Sequence, residues 1–176
     1  MVVEHLFEDL QRTAACCCAH SLLINPDKTK LLLLGTPQVL ARVPKGFGVT
    51  LLGKEILSSC STKNLGVIVD SHLSFDEHVT EVVSKCIGSL CQINRVKHLI
   101  DRSTLVTIIH SPVFSKLFYC SSMWASTTKK NIARLQKVQN FAARIVTGAR
   151  KYDRIKILKE LHWLPVAGCR WLVAGG

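Results

Sequence analysis

The stretch KKNIARLQKVQNFAARIVTG, residues 129–148, with its continuation ARKYDRIKILKELHWLP to residue 165, decides how this chain is read. At about 100° per residue, Ile132, Leu135, Val138, Ala142, Ile145 and Val146 fall on one arc, while Lys130, Arg134, Lys137 and Arg144 gather on another. The spacing predicts a helix with one packed face and one basic face. Phe141 lies inside the basic stripe, so an aromatic ring interrupts a row of cations. That pattern suits a surface that grips phosphates and stacks on bases between them. A merely solvated face is the competing reading, since amphipathic helices are the rule in globular proteins. The excess of one sign of charge favours a polyanionic partner.

That excess is uneven along the chain. Among 176 residues there are 23 Lys and Arg against 12 Asp and Glu, a formal net charge of +11. Residues 1–100 hold 10 basic and 9 acidic side chains, whereas residues 101–176 hold 13 and 3. A near-neutral scaffold is thus followed by a segment fitted to a polyanion, most simply RNA or an RNA–DNA duplex. A hydrophobic fraction of 48% and a charged fraction of 20% are those of a folding chain, long enough for one hydrophobic core. No apolar run approaches the roughly 20 residues of a membrane-spanning helix. Glu4, Glu8 and Asp9 stand where a secretory signal needs positive charge. The expectation is an intracellular protein, of nucleus or cytoplasm, with no membrane partner.

Eight cysteines include the run Cys16-Cys17-Cys18, and no C-x-x-C pair occurs. With no His at zinc-ligand spacing from a cysteine pair, the reading is reduced, buried thiols and no metal site.

In chain order, apolar residues at helical spacing predict a helix over 2–20. Two short extended pieces, 22–25 and 30–34, flank a turn at Pro26-Asp27. Residues 37–48 read as a connection. Strands follow at 49–52, 55–57 and 65–69, with Gly53-Lys54 as a hairpin turn. At Ser74 the period changes, and Ser74 with Glu77 matches a capping box for a helix reaching toward Ile100. Asp101 or Ser103 can cap a second helix through Leu117, with Pro112 kinking it or opening a restarted turn. Thr127 or Thr128 can cap the third, Gly148 stops it, and 153–162 can form a fourth. The class is α+β: an N-terminal helix and a small antiparallel β ribbon, then an α-helical bundle.

LQKVQNFAARIVTG (135–148) followed by LKELHWLPV (158–166) resembles the thumb-side tail of reverse transcriptases from non-LTR retrotransposons of the jockey and chicken-repeat type. Other motifs occur in the family's order: LLINPDKTKLLLLG (22–35), NLGVIVDSHLSFDEHV (64–79) and SKLFYCSSMW (115–124). The resemblance covers residues 20–166 and implies three regions. Residues 1–73 would be the end of the palm with its primer-grip hairpin, 74–166 a helical thumb and connection, and 167–176 a divergent tail. It also implies a palm lysine at Lys28, near a departing pyrophosphate. Leu65, Gly66 and Val67 would form the primer grip, and Lys130, Arg134, Lys137, Phe141 and Arg144 the nucleic-acid contact.

Such polymerases clamp two Mg ions with carboxylates. In the family the tandem aspartates precede the N-x-x-K-T segment by several dozen residues. The expectation is therefore a fragment that begins beyond them, holds no cofactor or metal of its own, is inactive alone, and works with the rest of the polymerase. Glu8-Asp9 reads as a solvated helix face, Asp70 as a turn former and Asp76-Glu77 as a helix start. His78, His162, Trp163, Tyr119 and Cys120 read as packing residues. Gly66 reads, apart from the resemblance, as a strand glycine at a bulge. The alternative function is a non-catalytic relic or helical interaction module whose basic face is only solvated.

Overall fold

The computed structural model describes residues 2–44, 46–149 and 158–166, in two units that meet in sequence at Leu73 and Ser74. The first unit opens with helix α1 (Val2–Ala19). The segment after it turns tightly at Asn25, whose Oδ1 accepts from the Asp27 amide at 2.9 Å and whose carbonyl accepts from Thr29. Strand β1 (Leu31–Leu32) follows, then a one-turn helix α2 (Pro37–Leu40) capped by the Thr36 hydroxyl. α2 corrects the expectation of a plain connection. Thr36-Pro37 is a cap followed by a proline whose missing N–H costs nothing at a helix start.

Strands β2 (Gly48–Leu51) and β3 (Lys54–Ser59) pair antiparallel, Leu51 opposite Lys54. Their turn is Leu52-Gly53, one residue earlier than the expected Gly53-Lys54, with φ of +50° and +79°. Two successive left-handed residues match the twist of the flanking strands. Gly48 is required by space: a Cβ there would sit 2.9 Å from the Ile56 carbonyl oxygen.

A second hairpin joins β4 (Ser61–Asn64) to β5 (Val67–Asp70) through Leu65-Gly66, φ +46° and +88°. Leu65 and Gly66 are thus turn residues, neither a strand start nor a bulge. The polar sequence Ser-Thr-Lys-Asn of β4 has no apolar alternation, so only its pairing reveals it as a strand. β1 lies parallel to β3, giving a three-stranded order β1-β3-β2 beside the separate two-stranded sheet. Leu51, Ile56 and Val67 are the buried apolar residues of this unit.

The second unit is helical. α3 (Asp76–Val96) ends short of Ile100 in a tight turn, Lys97–Leu99. The expected Ser74–Glu77 capping box does not form. Phe75, 3% exposed, occupies the cap with φ +59°, and Ser74 Oγ instead accepts from the Asp76 amide at 3.3 Å. Burying that ring fixes a backbone turn in which the reciprocal box geometry is lost. Asp101 caps α4 (Arg102–Ile109), its Oδ2 accepting from the Thr104 amide at 2.9 Å. Hydrogen bonds from Ser103 and then Thr104 hold that carboxyl well below the usual carboxylate range.

Pro112 falls in a wide turn, His110–Phe114, with the looser spacing of a π-helix, and the chain resumes as α5 (Ser115–Phe118). A proline inside a helix removes one ladder bond, and a wider turn absorbs it. After α6 (Ser121–Trp124), α7 (Lys129–Thr147) is capped by Thr128 and stopped by Gly148 at φ +67°. Of the expected fourth helix, 153–157 lie outside the described residues, as does the tail 167–176; residues 158–160 form a helical turn.

All six residues of the predicted apolar arc are buried, and α7 packs against α3, whose Val79, Cys86 and Leu90 are buried as well. No described helix is long and apolar enough to cross a membrane. The expectation of buried thiols fails: of the seven described cysteines only Cys86 is buried, while Cys16, Cys18, Cys60 and Cys91 are exposed. Successive positions on a helix point about 100° apart, so the run at 16–18 cannot share one buried face. Tyr119, 48% exposed beyond the end of α5, also departs from its expected packing.

Burial pushes the Cys86 thiol up to about 11, and its Sγ donates to the Val113 carbonyl at 3.6 Å. At pH 8 it stays protonated, and the thiolate is the reactive form. A thiol-reagent titration of the native chain should therefore modify Cys16, Cys18, Cys60 and Cys91 quickly and leave Cys86 unmodified until denaturant is added.

Candidate nucleic-acid interface

Two polar clasps orient α7. At its N-terminal end Asn131, 1% exposed, donates through Nδ2 to Asp76 Oδ1 at 2.5 Å and to Thr127 Oγ1 at 2.9 Å. Thr127 Oγ1 in turn donates to the Ser74 carbonyl at 2.7 Å. The Arg134 guanidinium reaches Thr80 Oγ1 at 3.0 Å and Asn131 Oδ1 at 3.4 Å, while the Thr80 hydroxyl donates to the Asp76 carbonyl. The starts of α3 and α7 are tied by a network in which each buried polar group has a partner.

Further along α7, Gln139, also 1% exposed, donates to the Leu164 carbonyl at 2.8 Å and accepts from the Val166 amide at 3.2 Å. Gln136 Nε2 braces it, donating to Gln139 Oε1 at 2.8 Å and Asn140 Oδ1 at 3.0 Å. The motifs LQKVQN and LHWLPV, far apart in sequence, are one joint in the fold. Trp163 packs edge-on to Phe114, centroids 4.6 Å apart, and to His110 at 5.6 Å. It anchors the segment, as expected, and Leu158 packs with Ala143 beside it.

With the buried side fixed, the opposite side of α7 faces water. Lys130 and Lys137 are exposed and meet no acidic partner among the described residues. An α-helical rise of about 1.5 Å per residue puts them about 10.5 Å apart along the axis. Phe141 is half-buried, and the Arg144 guanidinium lies 5.9 Å from its ring centroid, a cation–π pair. Arg134 belongs to the same helix but its guanidinium is turned to α3. The structure thus brings Lys130, Lys137, Phe141 and Arg144 into one row, with Arg134 at its edge.

The remaining expected site residues lie in the first unit. Lys28 is exposed in the Asn25 turn, its amide bonded to the Asn25 carbonyl at 3.2 Å. Leu65 and Gly66 form the exposed tip of the β4–β5 hairpin, and Val67, 4% exposed, roots it. His78 is buried; His162 is exposed, so its expected packing fails.

Among the described residues no three metal-ligating side chains converge. Asp27 is paired with Lys54, whose hydrogen bond and charge hold its carboxyl below the ordinary value, and Asp76 serves Asn131.

Sequence reasoning passed over Asn131 and Gln139, which hold the site together. Their signal was visible: a polar amide at a core position of a periodic helix calls for a buried partner.

Distant relatives of the chain occur among known proteins. Over 155 residues, 85% of the chain, it is 28% identical to a probable RNA-directed DNA polymerase from transposon BS of Drosophila melanogaster. The chain is distantly related to a reverse transcriptase region. Over 97 residues, 53% of the chain, it is 26% identical to a probable RNA-directed DNA polymerase from transposon X-element of the same fly. The matches span 16% and 11% of those two proteins. No protein-family model matches the chain. No solved structure matches it either.

Replacing Gln139 by Ala strands the Leu164 carbonyl and the buried Val166 amide, at a cost of about 1–3 kcal/mol. Urea denaturation should show the loss, and amide exchange at Val166 should accelerate while α3 amides stay protected.

Proposed function

We propose that the chain is the part of a non-LTR retrotransposon reverse transcriptase that holds primer and template, with its metal-ion chemistry supplied by residues outside this chain. The observation that supports the reading is the face of α7, where Lys130, Lys137 and Arg144 line one side of a helix whose other side is locked into the core. Cations held in a row on a rigid element attract a phosphate backbone, and counterion release makes the attraction strong at low salt. The distant likeness to transposon polymerases supports a nucleic acid as that polyanion, and an RNA or RNA–DNA strand is the form proposed here.

In this reading residues 74–166 act as a thumb and residues 1–73 as the end of a palm. The Leu65-Gly66 turn would present backbone to a primer end, as a primer grip, and Lys28 would approach the departing pyrophosphate. The partner is the rest of the polymerase, and the isolated chain has no polymerase activity. Residues exposed in the first unit, such as Leu23 at 92%, favour a covering partner as well.

Fluorescence anisotropy of an RNA–DNA duplex titrated with the chain at about 50 and 200 mM salt tests the reading. Binding should weaken steeply with salt, and the Lys130→Ala, Lys137→Ala double variant should reduce the log–log slope by about one to two. Arg134→Ala should leave the slope nearly unchanged, because that guanidinium is engaged by Thr80 and Asn131. Absence of binding at the lower salt would leave the helical interaction module as the surviving reading.

A further inference from the structure

We infer that the α7 face takes a strand with an unpaired base, the base stacking on Phe141 while the lysines hold the phosphates before it. The inference rests on the nucleic-acid reading above and sharpens its ligand: a single strand or an overhang next to a duplex, not the interior of a duplex.

The argument begins with the order of groups along the helix. Lys130 and Lys137 lie about 10.5 Å apart, about three steps of a helical strand at 3.4 Å each. Phe141 follows Lys137 by about 6 Å, within reach of the next bases of the same strand. The Arg144 guanidinium lies over one face of the ring, 5.9 Å from its centroid, so an incoming base would take the other face or slide between ring and guanidinium. Phe141 is half-buried, so part of the residue stays open to solvent beside the exposed Lys137 one turn before it.

Inside a duplex every base already stacks on two neighbours, and both of its faces are covered. An aromatic ring gains nothing there. It gains a partner only where a face is open, at a strand end, an overhang or a single strand. Lysines contact phosphates in either setting, so they bind without distinguishing them. The two kinds of group on one helix therefore divide the work: Lys130 and Lys137 supply salt-dependent attachment, and Phe141 selects an open base. Arg134, turned to Thr80, adds no competing phosphate contact beside the ring.

The test uses the full chain and three probes: a short single-stranded RNA, a blunt RNA–DNA duplex, and the same duplex with an RNA overhang. Phe141→Leu keeps the apolar bulk of the side chain without its π face, and a melting curve like that of the parent shows that the fold is kept. It should weaken binding to the single strand and the overhang about tenfold, as loss of one base stack does, and leave the blunt duplex within about twofold. Lys130→Ala with Lys137→Ala should weaken all three probes alike. Equal effects of Phe141→Leu on all three probes, with the lysine variant still weakening them, overturn the open-base assignment and leave the nucleic-acid reading intact. A lysine variant that changes none of them overturns the nucleic-acid reading itself.

Discussion

The packing of α7 against α3 is the contact on which the helical unit depends. Leu135, Val138 and Ala142 of α7 and Val79, Cys86 and Leu90 of α3 keep almost no exposed surface, and apolar burial of this kind is the main favourable term in folding. Apolar contact alone leaves rotation and slippage between two helices cheap. Asn131 and Thr127 restrict that freedom, because the Asn131 amide reaches Asp76, and the Thr127 hydroxyl the Ser74 carbonyl, only when α7 sits in one register beside the start of α3. Out of register both bonds would be lost, which penalises alternatives more than it stabilises the native arrangement.

That constraint also fixes what faces water. A helix cannot turn its buried side without turning its outer side, so Asn131 and Gln139 set the direction of Lys130, Lys137, Phe141 and Arg144. Gln139 extends the effect to the segment 158–166, whose backbone it holds at Leu164 and Val166. Glutamine at 139 and the Leu-His-Trp-Leu-Pro-Val run answer each other across the fold.

The first unit is organised by a different rule. Its two hairpins turn on Leu52-Gly53 and Leu65-Gly66, each pair at positive φ, and the turns dictate the register of strands too short and too polar to announce themselves. Here backbone conformation decides more than side-chain burial does, since among the described residues of this unit only Leu51, Ile56 and Val67 are buried apolar side chains.

The sequence by itself determined the α+β class, the apolar arc and basic stripe of α7 and its stop at Gly148, and narrowed its cap to Thr127 or Thr128 and that of α4 to Asp101 or Ser103. These are local properties: helical period, capping chemistry and the conformational freedom of glycine act within a few residues and can be read along the chain. Only the tertiary structure decided that β1 lies parallel to β3, that Ser61–Asn64 is a strand, that Phe75 displaces the capping box, and that of the described thiols Cys86 alone is buried. It also decided that Arg134 faces Thr80 while Lys130 and Lys137 face water, because a side chain's partner depends on which helix lies beside it, and helical period cannot say which neighbour that is.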